Sequence, residues 1–220
     1  MLPTPDLSHL STDDFEVVYE PAEDTFLFLD ALEADAETLK DLKPSICLEI
    51  GSGSGCLSAF LGNILGPSVL YLCTDINPHA CKCTEMTGTQ NKVFLEAINV
   101  SLAFPLHDRL KHNVDIILFN PPYVPTLSNE AVGAQSLGTI GGAWAGGMDG
   151  MEVTNTFLQY VEQLLSARGR FYLVALKQNN IPIIRQSMLN SHGLRSEIVL
   201  QRRAGIEHLF IIRFHREKQD

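Results

Sequence analysis

The stretch LEIGSGSGCLSAFL, residues 48–61, passes from an apolar run through alternating glycines into a second apolar run. Its first part belongs to SICLEI, 45–50, which is typical of a buried strand of a parallel sheet. The residues from 54 to 65 predict the helix that follows. Glycines between them let the backbone turn sharply and approach a ligand closely, and the first N–H groups of the helix remain free. The stretch therefore predicts the ligand-binding end of an α/β sheet. These glycines are Gly51, Gly53 and Gly55.

The same alternation of strand and helix continues along the chain. A helix is expected over 20–42, where apolar residues recur at helical spacing and acids stand in the first turn. The last two strands are joined by RAGI and predict an antiparallel hairpin. We therefore expect an α/β doubly wound, Rossmann-like fold, with a seven-stranded mostly parallel sheet and an antiparallel edge strand. The whole chain, 1–220, is expected to form one domain, which begins with a polar leader at 1–17. The remaining predicted strands are 68–75, 92–98, 114–119, 170–176, 196–202 and 207–214, and the remaining helices are 78–90, 154–166 and 181–191.

Charge and composition restrict the class of protein. The net charge is −10, and the first fifty residues hold thirteen acids against two lysines, so the rest of the chain is nearly neutral. Such a chain lacks the overall positive charge that is typical of proteins that bind nucleic acid. No apolar run is long enough for a membrane span, and no secretory signal is recognisable. Five cysteines in or beside apolar segments suit reduced thiols, so we expect the cytoplasm or the nucleus.

Two acids accompany the glycine turn. Glu49 precedes it, and Asp75 ends the next strand, where a carboxylate can accept both hydroxyls of a ribose. A carboxylate at Glu49 repels a pyrophosphate but suits an amine-bearing ligand. The glycine spacing differs from the dinucleotide fingerprint, and the chain has no P-loop pattern. These features predict an adenosine ligand without an essential phosphate, and S-adenosylmethionine fits that description.

FNPPYV, residues 119–124, follows the fourth predicted strand. Its prolines stiffen the chain and remove two backbone donors. The side chain of Asn120 and the carbonyl of Pro121 offer two acceptors, and Tyr123 offers a flat face. Two acceptors can hold both N–H groups of a planar NH₂, whose nitrogen is a poor nucleophile, in line with a methyl group. This chemistry requires no metal ion, and the cysteines lack a metal-binding spacing.

A long connection follows this loop, from residue 124 to 150. Seven of the sixteen glycines lie between Gly133 and Gly150, together with the only tryptophan, Trp144. Long connections at the carboxyl end of a strand are usually functional or disordered. We interpret this one as a substrate-facing loop; a mobile insertion without function is the alternative.

LEIGSGSG, TDINP and NPPY in this order resemble a class I S-adenosylmethionine-dependent methyltransferase that acts on a planar nitrogen. A longer set of segments is similar to the eukaryotic and archaeal branch of the HemK family, the catalytic subunit of the translation release-factor glutamine methyltransferase, and covers nearly the whole chain. The resemblance implies methyl transfer to the side-chain amide of the glutamine in the release factor's Gly-Gly-Gln loop. The segments are YEPAEDTFLFLDALE (19–33), ICLEIGSGSG (46–55), CTDINP (73–78), FNPPYVP (119–125) and AWAGGMDGMEV (143–153).

The resemblance also implies site residues and a partner. The partner is a small zinc-binding activator protein, which covers an apolar edge of the sheet along the third strand. From the residues alone, this strand, 92–98, fits equally well as one that serves only the core. Ser101 stands where family members usually carry an acid that recognises the adenine, so Ser101 or Asn99 has to supply a weaker hydrogen bond. The implied donor contacts are Thr25, Glu49, Gly51, Gly53, Gly55, Asp75, Ser101, Leu102 and Asn120; the implied substrate contacts are Asn120, Pro121, Pro122, Tyr123 and Val124, with Asn120, Pro121 and Tyr123 as the catalytic residues.

Two other interpretations remain open from the sequence. NPPY-type loops also serve enzymes that methylate the amino group of adenine in DNA or RNA. The acidic balance and the lack of an added target-recognition domain argue against that reading, although a local basic cluster lies near the C-terminus. The chain could also be a binding subunit with a vestigial donor site, which the change at Ser101 favours and the presence of Asn120 and Asp75 opposes.

Overall fold

The structure is a computed structural model that describes residues 2–124, 147 and 149–217. Its strands form one seven-stranded sheet in the order β3-β2-β1-β4-β5-β7-β6. The strands are β1 Ile46–Ile50, β2 Leu70–Asp75, β3 Leu95–Asn99, β4 Val114–Phe119, β5 Leu165–Leu176, β6 Leu194–Ala204 and β7 Glu207–Arg216.

The strand order creates a crevice beside β1. β1 pairs in parallel with β2 on one side and with β4 on the other, so the chain reverses its direction of winding there. In open α/β sheets, ligands bind outside the carboxyl ends of the strands at such a point. The glycine turn after β1 and the NPPY loop after β4 therefore lie side by side, as the sequence predicted.

The doubly wound, mostly parallel sheet is confirmed, with its antiparallel pairing at one edge. β4 and β5 are parallel, whereas β7 runs antiparallel to β5 and to β6. The hairpin turn at Gly205, which has a φ of +59°, returns β7 between its two neighbours. The antiparallel strand therefore lies one place inside the edge, and β6 is the outermost strand.

Both faces of the sheet are buried, and β4 shows this most clearly. Ile116 and Leu118 belong to a core with Phe60, whereas Ile117 and Phe119 belong to a second core with Phe157. Successive side chains of a strand point to opposite faces, so a strand covered on both sides is apolar throughout. The helices are α1 Thr12–Phe15, α2 Glu23–Ala34, α3 Ala36–Leu42, α4 Cys56–Leu65, α5 Pro78–Gln90, α6 His107–Leu110, α7 Glu152–Leu158, α8 Val161–Leu164 and α9 Ile181–His192.

Two of the expected helices are divided in the structure. The helix expected over 20–42 breaks at Asp35, whose carboxylate accepts hydrogen bonds from Tyr172 (2.7 Å) and Arg213 (2.5 Å). The helix expected over 154–166 becomes α7 and α8. They are separated at Tyr160, whose hydroxyl oxygen accepts the N–H of Ala103 at 3.3 Å. These breaks depend on distant partners, which helical periodicity does not show.

The third strand begins later than the sequence predicted. Lys92 has a positive φ of 59°, and the N–H of Val93 donates to the carbonyl of Gly88 at 2.9 Å. These residues form the turn that ends α5, so β3 starts at Leu95. Most of the 124–150 loop, including Trp144, lies outside the described residues. No helix among the described residues is long and apolar enough to cross a membrane.

Candidate active site

The three glycines of the turn have left-handed backbones but different surroundings. Their φ values are +69° at Gly51, +54° at Gly53 and +77° at Gly55. A Cβ at Gly51 or Gly53 meets no atom within 4 Å, whereas a Cβ at Gly55 lies 2.9 Å from Cα of Thr84 in α5. The first two glycines line a cavity and the third does not. Gly55, predicted as a donor contact, is therefore placed where α4 packs closely against α5.

This cavity has a volume of about 510 Å³ and lies at the carboxyl ends of β1, β2 and β4. Its size suits a small-molecule ligand. The other site residues predicted from the sequence all line it, which brings together segments from five parts of the chain. They are Thr25, Glu49, Asp75, Ser101, Leu102, Asn120, Pro121, Pro122, Tyr123 and Val124.

Glu49 is buried in the floor of the cavity. Its carboxylate accepts hydrogen bonds from the N–H of Ser58, at 3.0 Å, and from the Ser58 hydroxyl. Burial raises the pKa of Glu49 to about 8; the bonds from Ser58 lower it, and the nearby charge of Asp75 adds to the increase. A buried acid of this kind is stabilised as a carboxylate when a cationic or amine-bearing group binds beside it.

Asp75 is fixed by the backbone around it. One of its oxygens accepts the N–H of Gly53 at 2.9 Å, and the other accepts the N–H of Asn77 at 2.8 Å. Burial raises the pKa of this carboxyl, while the backbone donors oppose the increase. Each carboxylate oxygen has further acceptor capacity, so Asp75 can still receive two hydroxyl donors.

The region next to Asp75 suits an apolar ring better than a charged group. Leu102, which has a left-handed backbone with a φ of +52°, and Phe104 line the cavity beside Ser101. Asn99 does not line it, because its amide donates to the carbonyls of Asp75 (3.0 Å) and Ile76 (2.9 Å). Of the two polar residues considered from the sequence, the structure places only Ser101 at the cavity.

The NPPY loop is held by an acid that the sequence analysis did not single out. Asp24, only 3% exposed, accepts hydrogen bonds at one oxygen from Nδ2 of Asn120 (2.9 Å) and from the hydroxyl of Tyr123 (2.7 Å). Its other oxygen accepts the N–H of Thr25 (2.7 Å) and the hydroxyl of Tyr19 (3.2 Å). Asp24 therefore ties the first turn of α2 to the end of β4.

This contact fixes the orientation of the Asn120 amide. A carboxylate only accepts hydrogen bonds, so Nδ2 has to face Asp24, and Oδ1 faces away from it. Oδ1 of Asn120 is buried and has no hydrogen-bond partner among the described residues. A buried acceptor without a partner costs free energy, and such an atom at a cavity indicates a ligand donor.

Tyr123 and Asn179 fix the far end of the loop. Burial, the charge of Asp24 and the hydrogen bond to it keep the pKa of Tyr123 far above its ordinary value, so this phenol stays protonated. The carbonyl of Tyr123 accepts Nδ2 of Asn179 at 3.3 Å, and the same amide reaches the carbonyl of Asp149 at 3.2 Å. Asn179 was also missed from the sequence, because its role depends only on tertiary contacts.

The cavity fits S-adenosylmethionine. Glu49 and the open backbone at Gly51 suit the amino-acid part, Asp75 suits the ribose hydroxyls, and the apolar surface at Leu102 suits the adenine. Four acids line the cavity, and no Lys or Arg does so among the described residues, which suits a positively charged donor. The acids are Asp24, Glu49, Asp75 and Glu207.

Comparisons with known proteins agree with this geometry. The family model of the methyltransferase small domain matches residues 25–137, about half of the chain. The methyltransferase HEMK2 of Homo sapiens is 48% identical over 96% of this chain and 95% of its own length. The eRF1 methyltransferase catalytic subunit mtq2 of Schizosaccharomyces pombe is 41% identical over 98% and 96%.

A solved structure agrees as well. It is the structure of the E. cuniculi Mtq2–Trm112 complex, which is responsible for methylation of the eRF1 translation termination factor. The match has a TM-score of 0.63 and 24% sequence identity, and it covers 91% of this chain and 99% of that one. At this identity the likeness concerns the fold, whereas the two sequence relatives match nearly end to end. The chain belongs to the HemK family of S-adenosylmethionine-dependent methyltransferases.

Proposed function

We propose that this chain transfers a methyl group from S-adenosylmethionine to the side-chain amide nitrogen of the glutamine in the Gly-Gly-Gln loop of the translation release factor eRF1. The observation that carries the proposal is the buried Oδ1 of Asn120, which lacks a partner in the described structure and belongs to a residue that lines the donor cavity. The S. pombe relative and the E. cuniculi complex, both named for eRF1 methylation, support the choice of substrate.

The geometry addresses the poor nucleophilicity of an amide nitrogen. S-adenosylmethionine, when bound, supplies a methyl group activated by a positively charged sulfur. Oδ1 of Asn120 accepts one N–H of the target amide, and the carbonyl of Pro121 is available for the other. These acceptors orient the nitrogen and stabilise the positive charge that develops on it.

The carboxylate of Asp24 strengthens the acceptor at Asn120 through the other end of the amide group. This carboxylate lies 2.9 Å from Nδ2 of Asn120 and therefore increases the negative character of Oδ1 through the amide group. Because the Asn120 side chain is already oriented by Asp24, it does not have to reorganise when the target binds. Tyr123 lines the cavity with its hydroxyl held on Asp24, and we expect its ring to pack against the planar target.

An adenine amino group is the competing target, because it is also a planar NH₂. The acidic lining of the cavity opposes it, since phosphates next to the target base would be repelled. A protein loop brings no such charge. The electrostatics of the cavity therefore favour a glutamine in a protein over a base in a nucleic acid.

We further propose that a small zinc-binding activator protein binds along β3. Within the described part of the chain, this strand pairs with β2 alone and forms one edge of the sheet. Exposed apolar side chains lie around it, with Phe94 75% exposed and Leu70 and Met86 partly exposed. An open edge with apolar flanks is an unfavourable surface in isolation and suits augmentation by a partner strand. The Trm112 subunit of the E. cuniculi complex supports this proposal.

A labelling experiment tests the substrate. The chain, with its activator, is mixed separately with eRF1, with eRF1 whose loop glutamine is replaced by asparagine, and with an adenine-rich duplex and single strand. Labelled donor and mass spectrometry then locate the product. We expect one methyl group on the glutamine and none in the other samples. Label on nucleic acid without label on the glutamine would overturn the proposal.

The same preparation tests for a vestigial site. Calorimetry with S-adenosylmethionine should give one donor per chain. Failure to bind the donor, even with the activator present, would mean that the chain is a binding subunit. The five free thiols also lead us to propose a reducing compartment, the cytosol or the nucleus, which fractionation of cells can check.

A further inference from the structure

A second group of chemically reactive side chains lies outside the methyl-transfer site. Asp14 in α1 approaches His79 and Cys83 in α5, and one ligand atom from each lies within 4.8 Å of the others. The histidine and the cysteine are four residues apart, so they share one face of the helix. The sequence analysis expected no metal site, because it could not bring the polar leader to this face. The contact is tertiary and spans 65 residues.

We propose that Asp14, His79 and Cys83 bind a thiophilic divalent cation, with Zn²⁺ the best match. A carboxylate, an imidazole and a thiolate are all zinc ligands, and three of them leave one position for water. The presence of a sulfur ligand argues against Mg²⁺ and Ca²⁺, which prefer oxygen. Cys83 gives up its proton to solvent when the metal–sulfur bond forms.

The geometry needs only a small adjustment. Oδ1 of Asp14 lies 2.7 Å from Nε2 of His79, and ligand atoms around a tetrahedral zinc ion are about 3.3–3.7 Å apart, given bonds of about 2.0–2.3 Å. The two atoms therefore have to separate by about 1 Å or less, and Sγ of Cys83, which lies within 4.8 Å of both, has to approach them by at most about 1.2 Å. The His79 side chain is 39% exposed, so it has room to move.

The carboxylate is already oriented for this role. Its other oxygen, Oδ2, accepts the N–H and the hydroxyl of Ser11, each at 2.8 Å. Outer hydrogen bonds of this kind fix a metal ligand and leave the inner oxygen for the ion. Cys83 is buried in a small apolar cluster with Leu10 and Val18, which shields the sulfur side of the site from water.

The site adjoins the donor cavity. Val17 and Val18 follow α1 and line that cavity, and the carbonyl of Val17 accepts Nδ2 of Asn77 at 2.8 Å. Asn77 stands at the start of α5, two residues before His79. A bound cation would therefore fasten the leader to α5 at the rim of the donor site.

Cobalt titration tests the site directly. The full chain is stripped with a chelator and titrated with Co²⁺, alone or with any protein that co-purifies. We expect one Co²⁺ per chain, with a thiolate-to-cobalt charge-transfer band in the near ultraviolet and the strong visible bands of a tetrahedral complex. Zn²⁺ should displace the Co²⁺ because it binds such ligands more tightly.

Three variants make the test specific. Cys83→Ser should lose the charge-transfer band, and His79→Ala should weaken Co²⁺ binding at least about tenfold. Cys81→Ser is the matched control, because its thiol lies toward the carbonyl of Asp75 instead, and it should bind as the wild type does. Subtracting the Cys83→Ser spectrum removes any signal from a zinc-binding partner. His79 is partly exposed, so its variant should fold, which circular dichroism checks.

The proposal would be overturned by a wild-type chain that shows no charge-transfer band at saturating Co²⁺. It would equally be overturned, for the chain titrated alone, by a band that persists in Cys83→Ser or disappears in Cys81→Ser. Because the readout is the metal spectrum, these results do not depend on methyl transfer or on its substrate.

Discussion

Asp24 and Asn120 are 96 residues apart in the chain, yet Nδ2 of Asn120 donates a hydrogen bond of 2.9 Å to the carboxylate of Asp24. This single contact decides which way the Asn120 amide faces, because a carboxylate cannot donate. It leaves Oδ1 as a buried acceptor without a partner among the described residues. The orientation of the Asn120 side chain in the NPPY loop is thus set by the first turn of α2.

Replacement of Asp24 by asparagine should release this orientation. An amide at position 24 accepts with only one oxygen, and the Asn120 side chain can then rotate. We expect kcat to fall by about 10–10²-fold, more than donor affinity falls. Steady-state kinetics with eRF1 and calorimetry with the donor measure the two effects.

Glu23→Gln provides the matched control. It removes the same charge one residue away, from a side chain that is 62% exposed. Its kcat should stay within about twofold of the wild type, since exposed ion pairs contribute little. Equal losses in the two variants would show that charge alone matters, and the orienting role of Asp24 would have to be abandoned.

Tyr123→Phe should lower stability as well as activity. It removes the 2.7 Å bond from the Tyr123 hydroxyl to Asp24, and a hydrogen bond to a charged group contributes about 1.5–3 kcal/mol. The free energy of unfolding should fall by about that amount in chemical denaturation. Tyr19→Phe removes a longer bond of 3.2 Å to the other oxygen and should cost less. The reverse order would contradict the assigned geometry.

Glu49 should make donor binding depend on pH. Its pKa in the free protein is raised to about 8, so it is largely protonated at neutral pH. A bound amino group favours the carboxylate, so affinity for S-adenosylmethionine should rise with pH up to about 8 and then level off. Binding below pH 8 should release a proton, which calorimetry in buffers of different ionisation enthalpy detects. Glu49→Gln should bind weakly and without this proton release.

The same group should also affect stability without the donor. A carboxyl whose pKa is higher in the folded state than in the unfolded state stabilises the fold at low pH. This contribution is complete below the ordinary value of 4.5 and is lost as pH rises through about 8. The wild type should therefore lose stability relative to Glu49→Gln across this range. Parallel curves for the two proteins would show that Glu49 titrates normally.

Replacement of Gly55 by alanine should lower the free energy of unfolding more than backbone strain alone would. Gly55→Ala combines a left-handed backbone with a Cβ 2.9 Å from Cα of Thr84, so it should cost about 2–4 kcal/mol. Gly193→Ala is the control, because Gly193 has a φ of +63° and a left-handed backbone like that of Gly55, but no atom within 4 Å of the added Cβ. It should cost only about 1–2 kcal/mol. Thermal unfolding of the two variants separates packing from backbone strain.

Local patterns predicted most of the fold and much of the site. β4 and α5 have the expected bounds, because a buried strand and a capped helix beginning at Pro78 leave clear signals. Glu49, Asp75 and Asn120 were found because each stands where a strand ends. These positions follow from the order of elements along the chain.

What the sequence did not reveal depends on contacts between distant segments. Asp24 lies within the YEPAEDT segment, but nothing local shows that it reaches Asn120 and Tyr123. The signal that could have identified it is its helical spacing from Leu27, Phe28 and Ala31, which places the acid on the apolar face of α2. The pairing of Asp14 with His79 and the role of Asn179 have the same origin.

The most direct test of the account uses Asn120→Ala. Donor affinity is measured by calorimetry, and methyl transfer to the eRF1 glutamine is measured in a single turnover with mass spectrometry. If Oδ1 of Asn120 holds the target amide, the donor should bind within a few-fold of the wild type while transfer falls by about 10²–10³-fold. Transfer within tenfold of the wild type, or a loss of donor binding as large as the loss of transfer, would contradict the central claim.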